Sequence, residues 1–376
     1  MVMAFGVVIG QPRWRLAPFA PTADRNYFDA RAWSPDGSAV MTAAGGGRFE
    51  IIRSDGALLL ADTEGMTPLW IDDRTVIALE TVDASTSRLV RIDTHDGSRH
   101  IIGGQLPLGH LVGGEPGRVA HRTVVGPLVT TVLDPVDGRV LGRLAGYRAR
   151  TWTNDGSLIV RKPEPSIQNS HYGAGALFDW RPGEDPRPLA PGLIDLGEVS
   201  PLSPSGDAIA CVCAVASSLG RDPARAIYRV PIDGSPPTEL GPWHAGSGSA
   251  APDIAWRGPV SLAVIDADGL SRVFVSGKKR TIPGLSASEL GYRRPMGRVY
   301  VIGDTLVAII RDGAPPGDGP LLVVVDAHDR IRLKRAMEAF NVPSVTVDVA
   351  HGRGVMSADT NRPGEPPQEF FLLEFR

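Results

Sequence analysis

The sequence predicts an all-β protein made of repeated four-stranded sheets, and three observations lead to this prediction. Helical periodicity is almost absent from the 376 residues. Short β-branched runs are separated by Asp-Gly, Pro-Gly and Gly-Asp pairs, which are signals for tight turns. Turn-bearing phrases recur along the chain at about the 40 to 50 residues that one β-propeller blade occupies.

Two phrases make up each repeat. The first is a hydrophobic residue, a polar turn that ends in Gly, and a strand: W-S-P-D-G-S-A-V (33–40), W-T-N-D-G-S-L-I-V (152–160) and L-S-P-S-G-D-A-I-A (202–210). The second is a strand, an Asp-Gly turn and another strand, at 49–60, 89–102, 130–141 and 227–240. Four strands with tight turns after the first and the third describe one propeller blade.

Segmentation by these phrases predicts eight blades in one domain that spans residues 1–376. The predicted blades are 30–63, 64–104, 105–146, 147–192, 193–242, 243–284, 285–337 and 338–376. The last segment supplies three strands, so residues 5–19 are expected to complete it and close the ring, which limits free sheet edges. Seven blades is the alternative, because 105–146 and 285–337 are irregular.

Several local features have structural interpretations. The best helical candidate is 331–340, whose first half is also typical of a strand. Cys211 and Cys213 would share one face of a strand, which suits a disulfide poorly, so we expect small buried hydrophobic residues. Aspartates that precede glycine are expected to be turn residues, since Asp tolerates left-handed backbone and bonds its own backbone. These aspartates are Asp55, Asp96, Asp137 and Asp233.

The composition of the chain limits the classes of partner that we expect. The formal net charge is −3 and no basic stripe is present, which argues against a nucleic-acid partner. The basic residues are overwhelmingly Arg, which is typical of a GC-rich bacterial genome. The N-terminal M-V-M-A-F-G-V-V-I-G lacks a basic region and a cleavage pattern, and no run reaches the roughly 18 apolar residues of a membrane span. We therefore expect a soluble, cytoplasmic protein without a membrane partner.

The repeat phrases resemble those of the TolB-like or WD-like propeller family, and TolB-like propellers also look like those of prolyl-oligopeptidase-type enzymes. The resemblance rests on W-S-P-D-G (33–37), L-S-P-S-G-D-A-I-A (202–210) and I-Y-R-V-P-I-D-G (227–234), followed by Leu240. It implies a propeller that binds proteins or ligands, and related propellers include lyases, lactonases and hydrolases. The extra α/β domain and export signal of periplasmic members are not visible. G-S-G-S-A (246–250) is a polar loop rather than a peptidase nucleophile elbow.

The topology of a propeller separates two faces. Loops between second and third strands, and between successive blades, share one face (the loop face), and the remaining turns share the other (the turn face). The Asp-Gly turns are predicted on the turn face. Long irregular loops are predicted on the loop face at 24–29, 161–175, 216–225, 241–253, 311–320 and 359–367. Because binding sites usually lie on long loops of a rigid scaffold, we expect a ligand at the loop-face mouth of the channel.

The candidate ligand-binding residues are all expected on the loop face. They are His110, Arg161, Asn169, His171, Tyr172, His244, Arg311 and Arg362. The N-S-H-Y segment (169–172) combines an amide, a hydroxyl, an imidazole and a phenol, which suits a ligand mouth. The arginines could bind a carboxylate or phosphate through paired N–H donors. Ion pairs between neighbouring blades are the alternative for each arginine.

The favoured function is the binding of a small molecule or a protein segment at this mouth, without a cofactor. The alternative is a lyase or hydrolase in which His171, Tyr172 and His244 perform acid–base chemistry. A divalent metal held by His110, His171 and His244 is a further alternative. No H-x-x-x-H or H-x-H spacing supports that metal site, so none is predicted. The sequence leaves open whether the protein is an enzyme.

Overall fold

Antiparallel strands make up nearly all of the computed structural model, and this confirms the predicted all-β propeller class. The structure describes residues 14–18, 28–44, 47–113, 118–164, 174–197, 201–218, 224–244, 253–293, 295–312, 319–337, 344–348, 353–359 and 368–375. Across these ranges the strands form six four-stranded sheets and one eight-stranded sheet. Each strand pairs antiparallel with its neighbours, and each sheet follows chain order except at the two ends of the chain.

The first part of the chain contributes one strand near the N-terminus and three complete sheets. The strand that precedes these three sheets is β1 (Trp14–Pro18). The first sheet consists of β2 (Phe28–Trp33), β3 (Ala39–Ala44), β4 (Arg48–Arg53) and β5 (Leu58–Glu64). The second consists of β6 (Met66–Trp70), β7 (Thr75–Thr81), β8 (Thr86–Asp93) and β9 (Arg99–Pro107). The third consists of β10 (Gly109–Val112), β11 (Val119–Thr123), β12 (Val129–Leu133) and β13 (Val140–Ala145).

The eight-stranded sheet lies in the middle of the chain. Its first half consists of β14 (Arg148–Trp152), β15 (Leu158–Pro163), β16 (Gly175–Trp180) and β17 (Arg187–Pro188). Its second half consists of β18 (Leu193–Asp195), β19 (Ala208–Val215), β20 (Arg225–Pro231) and β21 (Thr238–Pro242), with a 3-10 turn at Ala216–Ser218. One backbone pairing, Gly175 with Asp195, joins the two halves. The predicted count of eight blades requires that this sheet be divided there, and the count stays a prediction.

The remaining sheets complete the ring. One consists of β22 (Asp253–Trp256), β23 (Ser261–Asp266), β24 (Gly269–Phe274) and β25 (Lys279–Ser286), followed by helix α1 (Ala287–Leu290). The next consists of β26 (Pro295–Ile302), β27 (Thr305–Asp312), β28 (Leu321–Val325) and β29 (Ile331–Ala336). The last contains β30 (Ser344–Asp348), β31 (Arg353–Asp359) and β32 (Gln368–Phe375).

The N-terminal strand closes the last sheet, as predicted. Strand β1 pairs antiparallel with β32, with Trp14 opposite Phe375 and Pro18 opposite Phe371. The closing sheet therefore has the order β1-β32-β31-β30. Strands β26 and β2 contact β30 from the two neighbouring sheets, so the ring is continuous across this seam. The predicted closing segment 5–19 extends on both sides of β1 into positions outside the described residues.

The core consists of layers between neighbouring sheets rather than one central cluster. Strands in the middle of a sheet are covered on both faces, so β19 (A-I-A-C-V-C-A-V) is buried over seven of its eight residues. Alternate residues serve the two layers: Ala208 packs toward the β22–β25 sheet, and Ile209 packs toward β14–β17. Both cysteines lie in this buried strand, as predicted.

Tryptophans at the ends of first strands connect each sheet to the one before it. Their indole N–H groups donate to backbone carbonyls of the preceding sheet or of the segment beside it. The pairs are Trp70 with Ala32 (3.2 Å), Trp152 with Val112 (3.4 Å) and Trp256 with Pro201 (2.9 Å). An indole buries a large apolar ring and still satisfies its N–H, which suits a joint between sheets.

The turn aspartates have the predicted role. The carboxylates of Asp55, Asp96, Asp137 and Asp233 each accept the backbone N–H two residues further on, at 2.8–3.0 Å. The glycine after each has a φ between 71° and 90°, in the left-handed region that glycine adopts without strain. These four positions are therefore explained by local backbone geometry.

The prediction of a helix over 331–340 was wrong for the residues that the structure describes. Residues 331–336 form β29, and positions 338–340 lie outside the described residues. Ile331 and Leu333 alternate with the exposed Arg332 and Lys334, a period of two that fits a strand on the outer edge of a sheet. The α-helix of the described part is α1, which begins with a capping box between Ser286 and Glu289. No helix among the described residues is long and apolar enough to cross a membrane.

Candidate functional site

Three arginines lie together at the loop-face ends of β11, β14 and β15, and we call them the arginine group. Arg122 is directly opposite His110 across β10 and β11, and Arg148 is directly opposite Arg161 across β14 and β15. Directly opposed residues of an antiparallel pair have Cβ atoms about 4.5–5.5 Å apart. Burial, and then the charges of Arg148 and Arg161, lower the pKa of Arg122, so the three guanidiniums are electrostatic neighbours.

Arg161 has a partner inside the protein. Its guanidinium is buried, forms an ion pair with the buried carboxylate of Asp195, and donates to the Gly197 carbonyl at 2.5 Å. The same carboxylate accepts the Gly197 backbone N–H at 3.0 Å. These contacts join the two halves of the eight-stranded sheet. Of the two roles considered for Arg161, ligand binding and an ion pair between neighbouring blades, these contacts match the ion pair.

Arg122 and Arg148 differ from Arg161. Both are half-buried, and neither side chain makes a hydrogen bond or an ion pair with the described residues. The carboxylate in contact with the group is Asp195, which already holds Arg161. Arg150 adds a fourth guanidinium at this end of β14 and donates to the Gly197 carbonyl at 3.1 Å. The site therefore brings several guanidiniums together, and the N–H donors of Arg122 and Arg148 have no acceptor among the described residues.

A buried histidine lies beside this site. His121 is fully buried in β11, and neither ring nitrogen has a hydrogen-bond partner within the described part of the chain. Burial lowers its pKa to about 4; the nearby Pro107 carbonyl opposes the shift and the His110 charge adds to it. The ring occupies the space above Gly109, where a Cβ atom would lie 2.3 Å from Nε2. His121 is thus held as a neutral imidazole next to a cationic site.

His244 lies on the loop face in a different cluster. Its Nδ1 is 3.1 Å from a carboxylate oxygen of Asp268, and both side chains are about half exposed. Lys279 donates to Asp266 at 2.6 Å and to Asp268 at 2.7 Å. Hydrogen bonds from Lys279 and His244 lower the pKa of Asp268. The Lys279 ammonium contacts both carboxylates of this cluster and balances one of their two negative charges.

Two groups of described side chains bring metal-ligand atoms within 4.8 Å of one another. One is His244 with Asp266 and Asp268, which holds Lys279. The other is Asp195 with Cys211 and Cys213, which holds Arg161. Burial raises the pKa of Cys213, which favours the thiol over the thiolate that a metal requires. In both groups a cationic side chain contacts the carboxylates: Lys279 pairs with Asp266 and Asp268, and Arg161 pairs with Asp195.

Arg311 is the other described arginine among the predicted binding residues. It lies near the loop-face end of β27, opposite Met296 of β26, and is half-buried. Its Nε is buried without a hydrogen-bond partner, and its side chain forms no ion pair among the described residues. Arg122, Arg161 and Arg311 therefore occupy corresponding places in three sheets, near the loop-face end of the second strand.

The structure tests the predicted site only in part. His110 is exposed at the loop-face end of β10, next to Arg122, whereas His244 belongs to the separate Asp268 cluster. The predicted residues that lie outside the described part are Asn169, His171, Tyr172 and Arg362. Sequence reasoning missed Arg122 and Arg148. Comparison of the second strands with one another would have found Arg122, because Arg161 and Arg311 hold the corresponding place.

Comparison with known proteins supports the fold. No model of a protein family matches the sequence, and no curated protein does either. The chain is similar in structure to an oligogalacturonate lyase from Vibrio parahaemolyticus, with a TM-score of 0.53 and 12% identity over 96% of this chain and 97% of that one. It is equally similar to an oligogalacturonate lyase in complex with manganese, with a TM-score of 0.53 and 12% identity over 94% of this chain and 90% of that one.

A third similar structure is the C-terminal WD40 domain of Sif2, with a TM-score of 0.47 and 12% identity over 96% of this chain and 87% of that one. The two similarities with a TM-score of 0.53 concern the fold alone, and they agree with the β-propeller that the sheets form. The resemblance to TolB-like repeats stays a prediction.

Proposed function

We propose that the protein binds an anionic small molecule at the loop-face mouth, with Arg122 and Arg148 as its principal contacts. One observation carries the proposal: two half-buried guanidiniums lie beside a third and have no carboxylate of their own among the described residues. Burial of a charge is costly unless the charge is paired and hydrogen-bonded. A bound carboxylate or phosphate would supply the missing charge and acceptors.

Arginine suits this role because its planar fork of N–H donors matches a carboxylate or a phosphate. The arrangement also favours an anion over a neutral ligand, because desolvation strengthens the attraction between the ligand and the guanidiniums. The site lies at the loop-face ends of inner strands, where a ligand can enter from solvent.

The experiment is calorimetric titration with small carboxylates, including galacturonate and its oligomers, and with phosphates, each beside a neutral counterpart such as galactose. We expect at least one acid to bind and its neutral counterpart not to bind. Arg122→Gln and Arg148→Gln should each weaken binding by about tenfold to a hundredfold, the effect of one charge-assisted hydrogen bond.

The matched control is Arg53→Gln, which removes the same charge from an exposed pair with Asp55 on the turn face. It should leave the dissociation constant unchanged. Equal weakening by the control would mean that the ligand responds to net charge alone. Binding of acids by both site variants with wild-type affinity would contradict the proposal.

A second candidate is a lyase that acts on an acidic sugar at the same mouth. Two similar structures carry the name oligogalacturonate lyase, and His110 lies beside Arg122. In such an elimination a base removes the proton next to the carboxylate, the bond to the leaving oxygen breaks, a C=C bond forms, and that oxygen takes up a proton. Guanidiniums at the carboxylate would stabilise the negative charge that develops there.

This candidate has its own test, which is the ultraviolet absorbance of the conjugated unsaturated product. Product formed by the wild-type protein and lost in Arg122→Gln would support the lyase. Binding of the acid without product would leave the binding function and exclude the lyase for that acid. No step through a metal belongs to this candidate, because Lys279 and Arg161 already pair with the carboxylates of the two described donor groups.

A further inference from the structure

We infer that the ligand carries two separated acidic groups, and that Arg311 binds the second across the channel from the arginine group. The inference rests on the proposed function and names the class of ligand for the same mouth. The classes that share this chemistry are linear dicarboxylates, acidic oligosaccharides and linear polyphosphates.

The environment of Arg311 supports a ligand contact rather than a structural one. Its buried Nε has no hydrogen-bond partner among the described residues, as is also true of Arg161, but unlike Arg161 the Arg311 side chain has no described carboxylate. Buried polar groups in folded proteins are nearly always hydrogen-bonded, so an exception needs an explanation. Arg122 has the same combination of partial burial and no described partner. Two guanidiniums in one ring therefore share one unmet requirement, an external anion.

Successive side chains of a strand point to opposite faces of its sheet, and this shows toward which neighbouring sheet each arginine points. Ala120 packs against the β14–β17 half of the eight-stranded sheet, so Arg122, two residues later, faces the same interface. Ala308 and Ile310 pack against the β22–β25 sheet, so Arg311 faces the opposite way, toward the closing sheet. Both arginines lie near the loop-face ends of their strands.

These two interfaces lie on opposite sides of the ring. Between them in one direction are the two halves of the eight-stranded sheet, the β22–β25 sheet and the β26–β29 sheet. In the other direction are the closing sheet and the sheets β2–β5, β6–β9 and β10–β13. Each direction thus contains four groups of four strands, and the channel mouth lies between the two arginines. A single carboxylate or phosphate cannot bridge them, whereas an elongated ligand with an acidic group at each end can.

The experiment compares one-ended and two-ended anions on the full chain. The probes are monocarboxylates and α,ω-dicarboxylates of increasing length in one arm, and inorganic phosphate and short linear polyphosphates in the other. The proteins are wild type, Arg311→Gln, Arg122→Gln and the double variant, with Arg139→Gln as a control that removes an exposed charge from the turn face. Thermal melting of each variant without probe confirms that it is folded.

In one of the two arms, we expect the wild-type protein to bind a two-ended probe of one particular length most tightly. That affinity should exceed the affinity for the one-ended anion of the same arm. Arg311→Gln should weaken the long probe by about tenfold to a hundredfold and leave the one-ended anion unchanged. Arg122→Gln should weaken both kinds of probe. The arm in which the length dependence occurs identifies the acidic group as carboxylate or phosphate.

Failure of this inference and failure of the proposed function give different results. If Arg122→Gln weakens binding but Arg311→Gln binds the long probe like wild type, the second contact is wrong and the proposed function stands. If Arg122→Gln has no effect on either probe, the proposed function itself is wrong. Affinity that does not depend on probe length, or an absence of binding in both arms, overturns the inference.

Discussion

The two faces of the ring differ in how their clustered arginines are paired with carboxylates. On the turn face the buried carboxylate of Asp329 accepts Arg257 at 2.5 Å, pairs with Arg280, and lies 3.8 Å from Arg272. On the loop face Asp195 holds Arg161, while Arg122 has no described carboxylate. Each arginine of the turn-face cluster contacts a carboxylate, whereas Arg122 and Arg148 on the loop face contact none among the described residues. The first arrangement stabilises the fold, and the second is suited to a ligand.

The largest expected effect tests the turn-face cluster. Asp329→Asn should lower the free energy of unfolding by about 3–5 kcal/mol, because it leaves the buried Arg257 without its carboxylate. Asparagine tolerates the left-handed φ of 62° at this position, so the substitution changes charge rather than backbone. Thermal or denaturant unfolding measures the effect.

The control for this prediction is Asp55→Asn, which breaks an exposed ion pair with Arg53 in a turn of the same face. Exposed pairs contribute little, so its unfolding should remain close to that of wild type. Equal stability of the two variants would show that the Asp329 cluster does not support the fold.

The second largest effect concerns His121, which lies beside the arginine group and is neutral in the folded protein. The pKa of His121 falls from 6.5 to about 4 because of burial, so the folded protein resists protonation that the unfolded chain accepts. Stability is therefore fully present above about pH 6.5 and decreases as the pH falls toward 4, by about 3 kcal/mol in total.

Melting temperatures of wild type and His121→Phe between pH 7 and pH 4, where both remain folded, measure this difference. We expect the wild-type melting temperature to fall more steeply, since phenylalanine has no proton to bind. Parallel curves would show that His121 is not held neutral in the folded protein.

The smallest effect concerns the arginine group without ligand. Arg122→Gln should leave the free energy of unfolding unchanged or raise it by about 1 kcal/mol or less, because it removes repulsion from Arg148 and Arg161. The measurement is thermal unfolding in a buffer without carboxylate or phosphate. A clear loss of stability would make Arg122 a structural residue like Arg257 and would remove the contrast between the faces.

Much of the fold follows from the sequence because it depends on local rules. The positive φ in an Asp-Gly turn and the short strands on either side of it involve residues that are neighbours in the chain. The closure by β1 was also predictable, because the last repeat contains three strands and a ring requires four.

The candidate site could be predicted only partly, because it depends on contacts between distant residues. Arg161 was predicted as a binding residue, yet its partner Asp195 is 34 residues away in the next half-sheet. Arg148 gives no local signal of its role, since its neighbourhood arises from pairing with β15. His110 and His244 looked alike in the sequence, and the structure places them with different partners.

The seam between β1 and β32 has a consequence for the order of events in the cell. Strand β1 is synthesised before all the other described strands and β32 after them, so β1 must wait for β32 before it can pair. Sheets between them can form as they emerge, because their strands are neighbours in sequence. Closure of the ring therefore cannot precede the synthesis of β32, and a chain terminated before β32 would carry an exposed strand edge.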